Sequence, residues 1–131
     1  MTIYSRVFTT PASTTKNYEM YVEGDVITYV RLRFPPGPQG LLKVAIFYGE
    51  KQIFPWEEGT RFVGDDETIA WDEYFILPES PCRLIIRCEN EDDTYEHSVY
   101  VTIATQKFAH TKENRLAKLL ARALVRVLGY V

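Results

Sequence analysis

The chain has 131 residues, 46% apolar, 25% charged and 14% aromatic, with a net charge of −3. That length fits one domain with a core of its own, and the composition is that of an ordinary globular protein rather than a disordered, collagen-like or disulfide-dense one. The charge is split: residues 1–106 carry −8 and residues 107–131 carry +5, so a nucleic-acid partner suits the tail alone and the body repels phosphate.

The opening M-T-I-Y-S-R-V-F-T-T holds no apolar run long enough for a signal peptide, so synthesis in the cytoplasm is expected. Ile3 to Thr9 alternates as a first strand, and Thr10 to Thr15 reads as a loop opened by Pro11. Tyr18 to Val22 reads as a short strand ended by Glu23-Gly24-Asp25. Val26 to Phe34 is a clearer strand, with Val26, Thr28, Val30, Leu32 and Phe34 on the core side and Ile27, Tyr29, Arg31 and Arg33 on the mostly solvated side. Pro35-Pro36-Gly37-Pro38-Gln39-Gly40 is stiff and cannot continue a ladder, which predicts a crossover loop between sheets.

Leu41 to Tyr48 is an apolar strand, and Gly49-Glu50-Lys51 turns it into a hairpin with Gln52 to Phe54. Arg61 to Val63 reads as a short strand. Thr68 to Trp71 and Tyr74 to Leu77 read as two more, divided by Asp72-Glu73. Cys82 to Glu89 and His97 to Ile103 both alternate well and flank a polar turn, which predicts a hairpin between them. Cys82 and Cys88 are six residues apart on one strand, roughly 20 Å, too far to bond to each other, and read as buried free thiols of a reducing interior. Seven to nine short strands at such spacing predict a mainly β fold: a single antiparallel β-sandwich, jelly-roll or immunoglobulin-like, over residues 1–106.

Residues 107–131 predict the C-terminal α-helix. At about 100° per residue, Arg115, Lys118, Arg122 and Arg126 fall within one arc of about 80°. Leu116, Leu119, Leu120, Leu124, Val127 and Leu128 lie among the apolar residues that fill most of the rest. Gly129 is placed to stop the helix, and Thr111 or Asn114 to cap it. This apolar arc exceeds what one sandwich face covers, so the leucines are expected at a contact with another copy or another structural protein, and the basic stripe against a neighbour's acidic loops. A groove in its own domain and an anionic membrane surface are the competing sites. Charges recur too often for a membrane span.

Candidate chemistry is sparse. No G-x-S-x-G, H-E-x-x-H, C-x-x-C or P-loop pattern occurs, and neither a cofactor nor an enzymatic activity is expected. Asp65-Asp66-Glu67 and Asn90-Glu91-Asp92-Asp93 are acidic turns that lack the Ca²⁺-loop spacing and read as solvated turns. Glu67, Asp72 and Glu73 are the carboxylates from which a glycoside-hydrolysing pair would have to come. His97 and His110 are the two histidines, and His97 reads as a hydrogen-bonded structural residue. Trp56, Trp71, Tyr74 and Tyr95 lie in or near loops and compose a possible sugar-stacking platform; plugging the sandwich ends is their plainer role.

The stretches F-P-P-G-P-Q-G-L at 34–41, P-W-E-E-G at 55–59, F-V-G-D-D-E-T-I at 62–69, Y-F-I-L-P-E-S-P at 74–81 and N-E-D-D-T-Y-E-H at 90–97 together resemble small β-sandwich structural proteins of tailed phages and related particles. The resemblance covers about half the chain and implies a cytoplasmically made virion building block without a cofactor. The expectation is therefore a self-assembling, non-enzymatic structural protein, with a carbohydrate-binding module and a peripheral membrane-surface protein as the alternatives.

Overall fold

In the computed structural model, which describes residues 1–108 and 119–124, eight strands form two antiparallel four-stranded sheets. In chain order they are β1 (Thr2–Thr10), β2 (Thr14–Val22), β3 (Val26–Phe34), β4 (Leu42–Tyr48), β5 (Lys51–Phe54), β6 (Glu67–Ile76), β7 (Cys82–Asn90) and β8 (His97–Gln106). One sheet runs β1-β8-β3-β6 and the other β2-β7-β4-β5. The pairs β1/β8, β2/β7, β3/β6 and β4/β5 are nested, so the chain behaves as one long antiparallel hairpin rolled into two layers. Alternate residues meet between the layers, among them Val30, Leu32, Phe34, Val44, Ile46, Leu84, Ile86, Val101 and Ile103, all fully buried.

The mainly β expectation therefore holds, and the Pro-rich connector does carry the chain from one sheet to the other. Its place is fixed by Asp65, whose Oδ1 accepts the amides of Gly37 (2.8 Å) and Gln39 (3.1 Å). Cys82 and Cys88 are buried and free, and burial pushes both thiols up to about 12.

Four expectations need correction. β7 and β8 are not a hairpin: they belong to opposite sheets, and residues 91–96 arch between the layers. Buried Asn90 holds that arch, donating from Nδ2 to the carbonyls of Thr10, Pro11 and Tyr95 and accepting the Asp92 amide. Residues 61–63 form no strand; Phe62 makes a single bridge to Val44. Thr14 and Thr15 belong to β2 rather than to the preceding loop.

The fourth correction concerns the gap at Asp72-Glu73. β6 is continuous, and Glu73 and Tyr74 together oppose the single residue Thr28 where the register slips between Ile27 and Tyr29. The same slip against β8 moves Ile27 into the core and leaves Thr28 half-buried, reversing their expected faces. A β-bulge resets the two-residue alternation in this way.

Candidate functional site

Two surfaces carry the residues singled out above. The first lies at the end of the sandwich where β2 turns into β3. Gly24 takes φ +140° there, and a side chain on it would meet the Thr105 hydroxyl and the Gln106 carbonyl, so the turn requires glycine. Asp25 follows and is buried. Its backbone accepts from Leu77 N and donates to Gln106 O, each at 2.9 Å. Its carboxylate accepts the Phe108 amide at Oδ2 (2.8 Å) and the Arg122 guanidinium at Oδ1 (3.1 Å).

Arg122 belongs to a helical segment, residues 119–124. Besides Asp25 it donates to the carbonyls of Leu77 (3.0 Å) and Gly24 (3.2 Å). The guanidinium fork thus meets a carboxylate and two carbonyls, a match for its planar donor set. The side chains of the pair are 18% and 6% exposed. Arg122, assigned from sequence to a neighbour's acidic loops, is spent on its own chain. On the same segment Leu119, Leu120 and Leu124 remain 62%, 63% and 59% exposed. Leu116, Arg115, Lys118, Arg126, Val127 and Leu128, together with His110, lie outside the described residues.

The second surface is a cleft of about 510 Å³ between the edge strands β5 and β6. Phe54, Pro55 and Trp56 line it from one sheet, Trp71, Glu73, Tyr74 and Phe75 from the other, and Phe62 closes it. Phe62 is pinned by two backbone hydrogen bonds with Val44, 2.8 and 3.0 Å. Its ring stacks on Trp71 at 5.2 Å between centroids, and Phe54 meets Trp71 edge-on at 5.6 Å. The bulge places Glu73 beside this cluster. Trp71 Nε1 donates to Glu73 Oε1 (3.0 Å) and the Tyr74 amide to Oε2 (2.9 Å), which fixes the carboxylate in the cleft wall.

The loop carrying Trp56 is organised by Gln52, a buried side chain of β5. Its Nε2 donates to the carbonyls of Pro55 (2.7 Å), Glu57 (3.0 Å) and Thr60 (2.9 Å). Its Oε1 accepts from the Gly59 amide (3.2 Å) and from Arg61 (2.9 Å). Trp56 and Tyr74 present 59% and 67% of their surface to solvent.

The structure thus brings together Trp56, Trp71 and Tyr74, three of the four platform residues; Tyr95 sits on the 91–96 arch and does not line the cleft. Gln52 was missed, since a lone glutamine in a strand carries no sequence signal; Glu73 was noted only as a carboxylate. Among the described residues lining the cleft, Glu73 is the one carboxylate. Asp72 lines a separate trough with Arg31 and Thr102, as strand alternation requires, and Glu67 lies roughly 20 Å away along β6. The acidic turns are used locally: Asp66 pairs with Arg33, and Asp92 binds His97 Nε2 (2.7 Å) and the amides of Thr94 and Tyr95. His97 is hydrogen-bonded and buried. Among the described residues no cluster of three or more His, Cys, Asp or Glu side chains is arranged to hold a metal, and no helix is long and apolar enough to cross a membrane.

No protein family profile and no curated protein matches the chain. Among solved structures, it is similar to the Aeromonas hydrophila protein PliG, a periplasmic lysozyme inhibitor of g-type lysozyme, with 14% identity, 78% of this chain and 86% of that one covered, and a TM-score of 0.46. The Yersinia pseudotuberculosis-derived mitogen matches at 10% identity, 85% and 89% coverage and a TM-score of 0.46. A Bacillus endospore appendage protein, from a family of disulfide-linked pili, matches at 14% identity, 78% and 86% coverage and a TM-score of 0.38. None of the three is close enough to assign a family, and no function follows from them.

Proposed function

We propose that the chain is a non-enzymatic structural protein that associates with copies of itself through its C-terminal helix. One observation carries this reading: Arg122 fastens the helical segment to the sandwich through a buried ion pair while Leu119, Leu120 and Leu124 beside it stay about three-fifths exposed. Covering each leucine is worth about 1–2 kcal/mol, and a fixed patch costs less entropy to bury than a loose one. A second copy of the same helix supplies the matching apolar surface.

The finer reading is a virion component built on a jelly roll. The nested order, 1-8-3-6 over 2-7-4-5, supports a jelly roll over an immunoglobulin-like sandwich, which separates its strands as ABED and CFG. Rolls of this kind build capsid and lectin domains. The resemblance of the turn stretches to phage structural proteins supports the virion, and that support is architectural rather than chemical.

The test is light scattering on wild type and on a triple variant, Leu119→Glu, Leu120→Glu, Leu124→Glu, which leaves Arg122 in place. Wild type is expected as an oligomer and the variant at the mass of one chain. A monomeric wild type, or an oligomeric variant, would overturn the proposal; leucine-dependent flotation of monomer with anionic vesicles would favour a membrane surface instead. Deleting the tail after Ala109 is a poorer test because it also strips Asp25 of Arg122.

A further inference from the structure

We propose that the β5/β6 cleft is a binding site for a neutral hexopyranose glycan, stacked on Trp56 and Tyr74 and hydrogen-bonded to Glu73. The residues that form the cleft lie on β5, β6 and the segment between them, apart from the helical residues 119–124. Its walls are aromatic, and the two rings most open to solvent, Trp56 and Tyr74, flank it from opposite sheets. A carboxylate among them would ordinarily be free to swing into water. Here each oxygen of Glu73 is held by one fixed donor, Trp71 Nε1 or the Tyr74 amide, so about two of its roughly four lone-pair directions remain for a ligand.

Such a wall asks for a ligand with an apolar C–H face and several hydroxyl donors. A pyranose ring has both. A proline-rich peptide offers the apolar face without the donors. Charge narrows the class further: Glu73 is the charged side chain among the described lining residues, in a body whose net charge is −8, and Lys51 approaches only the Trp56 ring, its Nζ 5.8 Å from the ring centre. Uronic, sialylated, sulfated or phosphorylated sugars would be repelled, so the glycan is uncharged. The cleft volume lies within the usual range for small-ligand sites.

Gln52 makes the site ready-formed. By holding the carbonyls of Pro55, Glu57 and Thr60 it fixes the loop that presents Trp56, so a ligand need not order it.

The test is titration of the full chain, followed by tryptophan fluorescence and calorimetry, with cellohexaose, xylohexaose, mannohexaose, laminarihexaose and chitohexaose, and with tetramethylammonium and a decaproline peptide as controls. At least one neutral oligosaccharide is expected to bind with a millimolar or tighter Kd. Trp56→Ala should weaken it at least tenfold and Glu73→Gln about fivefold, both with wild-type unfolding curves and wild-type mass. No saturable binding by any of the five, equal binding by both variants, or saturation by a control that no sugar displaces would each overturn the proposal. Loss of binding in the triple leucine variant would tie the sugar to assembly and overturn the independence claimed for the cleft.

Discussion

Replacing Arg122 by alanine tests the anchor on which the helix depends. The guanidinium makes three hydrogen bonds, one of them to a carboxylate whose side chain is only 6% exposed. Removing one partner of a buried pair costs about 3–5 kcal/mol, and a hydrogen bond to a charged group about 1.5–3. The Arg122 side chain is 18% exposed and Asp25 keeps the Phe108 amide, which places the loss at the lower end, about 3 kcal/mol. For a chain of this length that is a fall in Tm of about 10 °C. Urea unfolding at one fixed protein concentration measures it, since an associating protein has a concentration-dependent stability. Asp25→Asn alone should cost less, because the amide still accepts one donor. The double variant should cost at least 1 kcal/mol less than the two losses added, as contacting residues do. A loss below 0.5 kcal/mol for Arg122→Ala, or strict additivity, would show that the pair does not hold the segment.

Two further perturbations test the parts of the sandwich that position the loops. Gln52→Leu keeps the volume and removes five hydrogen bonds; a loss of about 2–3 kcal/mol and faster hydrogen exchange at the Gly59 amide are expected, and unchanged exchange there would refute the organising role. His97, then the Thr94 and Tyr95 amides, hold the Asp92 carboxyl below the usual carboxylate range. A depressed folded value means stability that is present above the unfolded value of about 3.9 and lost as pH falls through the folded one. Wild type should therefore lose stability more steeply than Asp92→Asn below about pH 4, and parallel curves in acid would contradict this.

Much of the layering was legible because it rests on two-residue alternation. Val30, Leu32 and Phe34, or Leu84, Ile86 and Cys88, could be placed inward from sequence alone, and they are buried. Strand partnership was not legible. β7 and β8 alternate equally well, and Asn90-Glu91-Asp92-Asp93-Thr94 suits a hairpin turn as well as an arch. What selects the arch is a long-range bond set, Asn90 to Thr10 and Pro11, about eighty residues away in sequence. The bulge was invisible for a related reason: opposing Glu73 and Tyr74 to Thr28 is a property of two strands and their register, and neither strand shows it alone.

The two surfaces differ in what they demanded of the sequence. Trp56, Trp71 and Tyr74 could be named because aromatic residues near loops are conspicuous. Their convergence required the pairing of β6 with β3, the Phe62–Val44 bridge and the Gln52 network, each a tertiary fact. For the helix the reverse holds: the angular count identified an apolar surplus, yet it assigned Arg122 by sign to an outside partner. A charge stripe records only which residues share a face. Whether an arginine on it is used inside or outside depends on a buried acceptor within reach, and Asp25 is that acceptor. Spending Arg122 at home strengthens the case for assembly. A helix tethered only by flexible chain would lose ordering entropy with every contact its leucines made, whereas Leu119, Leu120 and Leu124 are presented on a segment already ordered by the fold.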